Sequence, residues 1–79
     1  MKILKYIITE KAVPIIFSSE MQHDSVLQTG VSAGFLIVKY DNVCHKFSAN
    51  CFGNSSSLNL ESVAGDKSVI EKYLNNDFI

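Results

Sequence analysis

The chain has 79 residues, of which 47% are apolar and 19% charged, and its formal net charge is −1. These values are typical of one small globular domain covering residues 1–79, and they exclude a disordered chain. All seven basic residues are lysines; because arginine is the side chain preferred for bidentate recognition of phosphate and guanine, the composition argues against nucleic acid as a partner.

Two strands are predicted near the N-terminus. Lys2–Thr9 predicts a strand that is apolar on both faces except at Lys5. Val13–Phe17 predicts a second, shorter strand. Because proline has no N–H to donate to a strand ladder, Pro14 indicates that this strand lies at an edge of the sheet or that Pro14 is its first residue.

A short helix and the central strand follow. Ser19 and Gln22 have the spacing of a capping box, which predicts the start of a short helix. The alternative for this segment is a serine-rich loop. Val31–Tyr40 is the most apolar run and predicts the central strand. Either Leu36 or Ile37 points into the core, depending on the turn that follows this strand.

The next segment predicts a hairpin after a turn at Asp41-Asn42. Gly53-Asn54 lies between two alternating runs, and these residue types tolerate the backbone angles of a two-residue hairpin turn. The predicted cross-strand pairs are Phe52–Ser55, then Cys51–Ser56, Ala49–Leu58 and Phe47–Leu60 on an apolar face, and Asn50–Ser57, Ser48–Asn59 and Lys46–Glu61 on a polar face.

The last predicted element is a helix that begins near Gly65-Asp66, with Asp66 as its N-cap, and ends at Asn75-Asn76. Its apolar stripe consists of Val69, Ile70, Tyr73 and Leu74. Together the elements predict an α+β fold, a small antiparallel sheet of four to five strands with a C-terminal helix packed on one face.

The polar side of the predicted hairpin is the candidate binding surface. An uncovered sheet edge can accept a partner strand, and Phe52 lies beside the turn at the end of this polar face. The candidate residues are Ser48, Asn50, Phe52, Ser57 and Asn59.

The cysteine and histidine residues do not form a recognisable catalytic or metal motif. A thiol nucleophile needs a base within about 3 Å, whereas His45 and Cys51 lie about 20 Å apart along one strand. Cys44 and His45 are adjacent, so their side chains point to opposite faces. The sequence therefore predicts no catalytic residue, no metal and no cofactor. The alternative is a small enzyme or ligand-binding protein that uses His23 and Asp24 with Cys44 or Cys51.

The chain shows no targeting segment in its apolar N-terminal strand. Lys5 interrupts Ile3–Ile8, and the run is too short for a signal-peptide core or a membrane span. Cys44 and Cys51 would lie about 23 Å apart along one strand, and this separation prevents a disulfide within one chain. We therefore expect a cytoplasmic protein without membrane contact.

Several segments resemble small proteins of unknown function that bacteria and their phages or prophages encode. The resemblance is carried by KYIITEKAVPIIF, the His23-Asp24 segment, VSAGF, and CFGNSSSLNLES before a short helix. It spans nearly the whole chain and contains no catalytic or binding motif. The resemblance implies a compact accessory protein.

The sequence therefore predicts a non-catalytic accessory protein that acts by protein–protein interaction. A homodimer is also expected, because the core is thin, Pro14 marks an edge strand, and Phe78-Ile79 forms an apolar tail. The alternative for the tail is that it folds back on Tyr6 or Tyr73.

Overall fold

The computed structural model describes residues 2–75, in which six strands and two helices are present. The elements in chain order are β1 (Ile3–Ile8), β2 (Pro14–Ser18), α1 (His23–Val26), β3 (Ser32–Asp41), β4 (Lys46–Phe52), β5 (Asn54–Ser55), β6 (Leu60–Glu61) and α2 (Asp66–Leu74). The main antiparallel sheet has the order β2-β1-β3-β4, and β5 pairs with β6 in a second small sheet. The predicted α+β class is confirmed.

The apolar runs at β1 and β3 form the centre of the sheet. β2 is an edge strand, and it begins at Pro14. Both positions predicted from Pro14, an edge of the sheet and the first residue of a strand, are therefore confirmed. Leu36 is fully buried and belongs to the core cluster, whereas Ile37 is half-buried and its side chain lies on the other face of β3. Leu36 is therefore the inward residue.

The predicted pairing of β4 across the Gly53-Asn54 turn is wrong. β4 pairs with β3 instead, which places Phe47 opposite Tyr40 and Lys46 opposite Asp41. Glu61, the predicted partner of Lys46, lies opposite Asn54. Pairing with β3 gives β4 an apolar neighbour, whereas the segment after Gly53 offers mainly serines in this position. β4 therefore pairs with β3, which is the longer and more apolar strand.

The turn between β3 and β4 depends on the side chain of Asp41. Its Oδ1 accepts the backbone N–H groups of Val43 and Cys44, at 2.8 and 3.3 Å. These two hydrogen bonds keep the pKa of the Asp41 carboxyl below its ordinary value. The predicted turn at this place is present, and it extends to His45, whose φ is 55°.

Gly53 does redirect the chain, but away from the plane of β4. Its φ of 77° favours glycine. The chain passes close to Gly34 here, where an added Cβ would lie 2.6 Å from the Phe52 carbonyl oxygen. Because Gly34 lacks a side chain, the following β5–β6 hairpin can pack beside the start of β3.

The predicted capping box is also wrong. α1 begins at His23 with Gln22 in the N-cap position, and no side-chain hydrogen bond caps it. The Ser18 hydroxyl, not that of Ser19, accepts a backbone N–H in this segment, from Glu20 at 3.2 Å. The turn after β2 therefore uses the serine one position earlier.

The core lies between α2 and one face of the main sheet. Ile70 is fully buried there, and of the predicted stripe only Tyr73 is largely exposed. The core consists of Tyr6, Ile8, Leu36, Ala49 and Ile70, with Leu4, Ile16, Val38, Cys51, Val69 and Leu74 packed around it. The predicted packing of the C-terminal helix on one face of the sheet is confirmed.

The N-terminus of α2 is held by the buried carboxylate of Asp66. Its Oδ2 accepts the Tyr6 hydroxyl at 2.5 Å and the Val63 N–H at 3.0 Å, and its Oδ1 accepts the Ser32 hydroxyl at 2.7 Å. Gly65 is the N-cap, so the predicted N-cap role of Asp66 is wrong by one position. Asp66 instead joins α2 to β1 and β3.

The helix ends as predicted, with Asn75 at its C-cap. The apolar tail Phe78-Ile79 and its alternative contacts with Tyr6 or Tyr73 lie outside the described residues, as does Asn76.

Tyr6→Phe is expected to lower the free energy of unfolding by about 1–3 kcal/mol, because it removes a donor from a buried carboxylate. Urea denaturation followed by circular dichroism measures the change. Tyr40→Phe is the matched control, since the Tyr40 hydroxyl is exposed, and its effect should stay within about 0.5 kcal/mol. Equal losses in the two variants would contradict the role of the Asp66 contact.

Stability is also expected to fall at alkaline pH because of Tyr6. Burial, together with donation to Asp66, raises the pKa of this phenol well above its ordinary value, which is about 10. Above that pH the unfolded chain releases the Tyr6 proton and the folded chain keeps it, so stability decreases by up to about 1.4 kcal/mol per pH unit from this group.

Unfolding free energies measured from pH 8 upward test this dependence. The decrease above about pH 10 should be smaller in Tyr6→Phe than in Tyr40→Phe, because only the first variant lacks the buried phenol. Parallel pH curves for the two variants would show that another group causes the decrease.

Candidate functional site

Three of the predicted surface residues lie together on β4. Ser48, Asn50 and Phe52 alternate along the strand and are exposed on the face opposite α2. We call this set the β4 surface. Lys39 and Ile37 lie across from Ser48 and Asn50 on β3, so the β4 surface continues onto the neighbouring strand.

Phe52 connects the β4 surface to a row of aromatic rings. Its ring stacks on Phe35 with centroids 5.9 Å apart. Phe35 in turn lies edge-on to His23, and His23 lies edge-on to Phe17. The Lys5 ammonium lies 5.6 Å from the centroid of Phe35. Phe52 is 40% exposed at the open end of this row, where it can serve as an anchor for a partner.

The other two predicted residues lie in the β5–β6 turn and not across from β4. Ser57 lines a cleft of about 370 Å³ together with Lys5, His23 and Phe35. Because Phe35 also stacks on Phe52, Ser57 is near the end of the β4 surface. Asn59, whose φ is 56°, lines a second cleft, and the structure does not bring it to the β4 surface.

His23 does not meet either cysteine. Its Nε2 lies 2.9 Å from the Gly34 carbonyl oxygen, and its ring is buried on the face of the sheet opposite α2. Cys51 packs on the α2 face, and Cys44 is exposed in the β3–β4 turn. Asp24 is exposed beside the buried His23. The described residues therefore do not assemble the predicted alternative of a histidine acting with a thiol.

The environment of Cys51 also disfavours a thiolate. Burial raises the pKa of this thiol, and the negative charge of Asp66 raises it further. A thiol in such surroundings stays protonated at neutral pH, and a protonated thiol is a poor nucleophile. Cys51 acts as a small packing residue of the core in this arrangement.

The outer edge of β4 is covered by polar side chains of α2. The Phe47 N–H donates to Asn75 Oδ1 at 2.7 Å, and Asn75 Nδ2 donates back to the Phe47 carbonyl at 3.0 Å. The Ala49 N–H donates to Glu71 Oε2 at 2.8 Å. These groups satisfy backbone positions that an edge strand otherwise offers to another chain. A partner of β4 therefore meets its face, because its edge is already occupied here.

The tip of the β3–β4 hairpin is a second exposed apolar region that the sequence did not predict. Tyr40 and Phe47 form a cross-strand aromatic pair with centroids 4.9 Å apart, and the nearby Val43 is 88% exposed. This tip exists because β4 pairs with β3, whereas the predicted hairpin paired β4 with the segment after Gly53. The turn predicted at Asp41-Asn42, between two strand-like runs, is the signal that could have indicated it.

Within residues 2–75, no three His, Cys, Asp or Glu side chains lie close enough together to hold a metal ion. Neither of the helices in this part of the chain has the length and apolar character needed to cross a bilayer. The chain matches no protein-family model, no curated protein and no solved structure.

Asn75→Ala is expected to uncover the edge of β4, since it removes both hydrogen bonds to Phe47. Stability should fall by about 1–3 kcal/mol, and the Phe47 amide should exchange faster with solvent deuterium. Lys72→Ala is the control on α2, because Lys72 is an exposed residue and its loss should change stability by about 0.5 kcal/mol or less. Unchanged protection of Phe47 in Asn75→Ala would contradict the covering role.

Proposed function

We propose that this chain is a small non-catalytic accessory protein that acts by binding another protein through the β4 surface. The observation that carries the proposal is the exposed Phe52 ring, which is supported from behind by Phe35 and flanked by Ser48 and Asn50. Aromatic side chains are enriched in protein interfaces, where they act as anchors, and the rim around such an anchor is polar. Ser57 adjoins the proposed surface through its cleft beside Phe35, whereas Asn59 lines a different cleft and is not part of this surface.

The rigidity of the strand supports this choice. β4 is hydrogen-bonded to β3 on one side and to Asn75 and Glu71 on the other, so its side chains are presented by a fixed backbone. A fixed backbone lowers the entropy lost on binding. The Arg-free, Lys-only composition favours protein over nucleic acid as the partner.

Three further parts of the proposal follow from the sequence. A cytoplasmic location fits the two free cysteines. A bacterial or prophage origin follows from the resemblance of the chain to small accessory proteins. Self-association into a homodimer is also a protein–protein interaction. It is expected because a domain with a small core gains stability when a second copy covers its exposed apolar surface.

The alternative of a ligand-binding protein has one supporting feature, the cleft beside Lys5, His23 and Ser57. We rank it second because the ring nitrogen Nε2 of His23 is already paired with the Gly34 carbonyl. Phe17 and Phe35 also contact the His23 ring, with centroids 5.4 and 5.9 Å away.

Asn50→Lys tests the proposed surface, because it adds charge and bulk at its centre without touching the core. Tagged wild type, Asn50→Lys and the matched control Asn42→Lys serve as baits in the native host, with quantitative mass spectrometry of retained proteins. At least one protein should be retained by the wild type and the control and be reduced about tenfold or more with Asn50→Lys, as expected for the loss of a central contact.

The thermal unfolding of both variants is compared with that of the wild type, so that a folding defect is recognised. Phe52→Ala should reduce the same captured protein. If every retained protein binds Asn50→Lys and Phe52→Ala as well as it binds the wild type, the β4 surface is not the binding site.

A further inference from the structure

The two edges of the main sheet are treated differently by the rest of the chain. On β4, the side chains of Asn75 and Glu71 occupy outward backbone groups. On β2, no side chain of residues 2–75 hydrogen-bonds to the backbone between Pro14 and Phe17. Natural proteins usually protect an edge with charge, proline, a bulge or a cover. Of these features, β2 carries Pro14 at its first position, and the backbone that follows Pro14 has no side-chain cover from the described residues.

The register with β1 shows which backbone groups of β2 point outward. The Thr9 N–H donates to the Val13 carbonyl at 3.0 Å. Hydrogen-bonded and non-hydrogen-bonded pairs alternate in an antiparallel ladder. Ile15 and Phe17 therefore bond to β1, and the backbone groups of Pro14, Ile16 and Ser18 are directed outward.

One pairing of this edge with itself leaves no backbone group unsatisfied. In an antiparallel arrangement centred on Ile16, the two Ile16 residues exchange N–H and carbonyl, and each Ser18 N–H meets the Pro14 carbonyl of the other copy. Pro14 has no N–H to give to the Ser18 carbonyl opposite it. That carbonyl needs none, because it already accepts the Met21 N–H at 3.1 Å.

The side chains agree with the same register. It places Ile15 of one copy across from Phe17 of the other, and both are half-buried in the single chain. Residues 12–19 contain no charged side chain, whereas lysines are the common guards of an edge. Lys11 and Glu20 flank this stretch, so pairing brings the positive end of each strand toward the negative end of the other.

We propose that β2 pairs antiparallel with β2 of a second copy of this chain about a two-fold axis at Ile16, which joins the two main sheets into one. This inference rests on the self-association part of the proposed function and names its interface. The symmetric interface buries the same segment on both copies, as closed two-fold dimers do. It leaves the β4 surface of each copy, at the opposite edge, free for another partner.

Sedimentation equilibrium from micromolar to millimolar concentration tests the pairing. The wild type should approach twice the chain mass. Ile15→Lys should weaken the dimer by at least about tenfold, because a lysine on each edge strand opposes pairing. Ile3→Lys is the matched control, since Ile3 is an exposed residue of β1 that lies beyond the end of β2, and its dimer should be unchanged.

A second variant removes the central hydrogen bonds alone. Chemical synthesis with an N-methyl group on Ile16 blocks its outward N–H and preserves every side chain and the β1–β2 ladder. This chain should be monomeric at concentrations where the unmodified synthetic chain is dimeric. If Ile15→Lys fails to fold, the N-methylated chain still tests whether β2 pairs with β2 of a second copy.

The outcomes separate this interface from the other proposals. A wild type that stays monomeric up to millimolar concentration contradicts the dimer, and the capture experiment on Asn50→Lys still judges the β4 surface. A dimer that survives N-methylation of Ile16 contradicts the β2 pairing while leaving self-association in place. A dimer lost with modified Ile16 and kept with Asn50→Lys supports the proposal.

Discussion

The buried carboxylate of Asp66 connects the elements that the core depends on. It accepts hydrogen bonds from Tyr6 on β1, Ser32 at the start of β3, and Val63 just before α2. A buried charge is costly unless it is hydrogen-bonded, and the three donors here, with the N-terminus of a helix, supply that compensation. Because each donor comes from a different segment, the carboxylate fixes where α2 begins above the sheet. Ile70 then lies over the central strands.

The position of α2 also determines which edge of the sheet is covered. The helix starts over the central strands and reaches β4 at its C-terminal end, where Glu71 and Asn75 bond to the strand backbone. The hydrogen bonds from Glu71 and Asn75 cover only the β4 edge. The contrast between a covered β4 edge and an uncovered β2 edge is thus a consequence of where Asp66 holds the helix, and both proposed interfaces follow from it.

Much of the fold could be predicted from local patterns. The apolar runs predicted β1 and β3, Pro14 predicted an edge strand, and the helical spacing of Ile70 with its neighbours predicted α2. The grouping of Ser48, Asn50 and Phe52 on one face also survived, because alternation along a strand does not depend on which strand lies beside it. The prediction of a hairpin across Gly53-Asn54 was wrong. A local turn signal does not show that another strand of the chain, here β3, is a more apolar pairing partner for β4.

The sequence by itself determined β1 to β4 and α2, and the inward or outward side of most residues in these strands, because these depend on backbone preferences and on side-chain period. Only the tertiary structure decided the partner of β4, the separation of Ser57 and Asn59 from their predicted partners, and the distance between His23 and the thiols. It also decided the role of Asp66, which reads as a helix cap in the sequence. Each of these depends on contacts between residues far apart in the chain, and the competition between alternative partners is settled by total burial and hydrogen bonding and not by any local pattern.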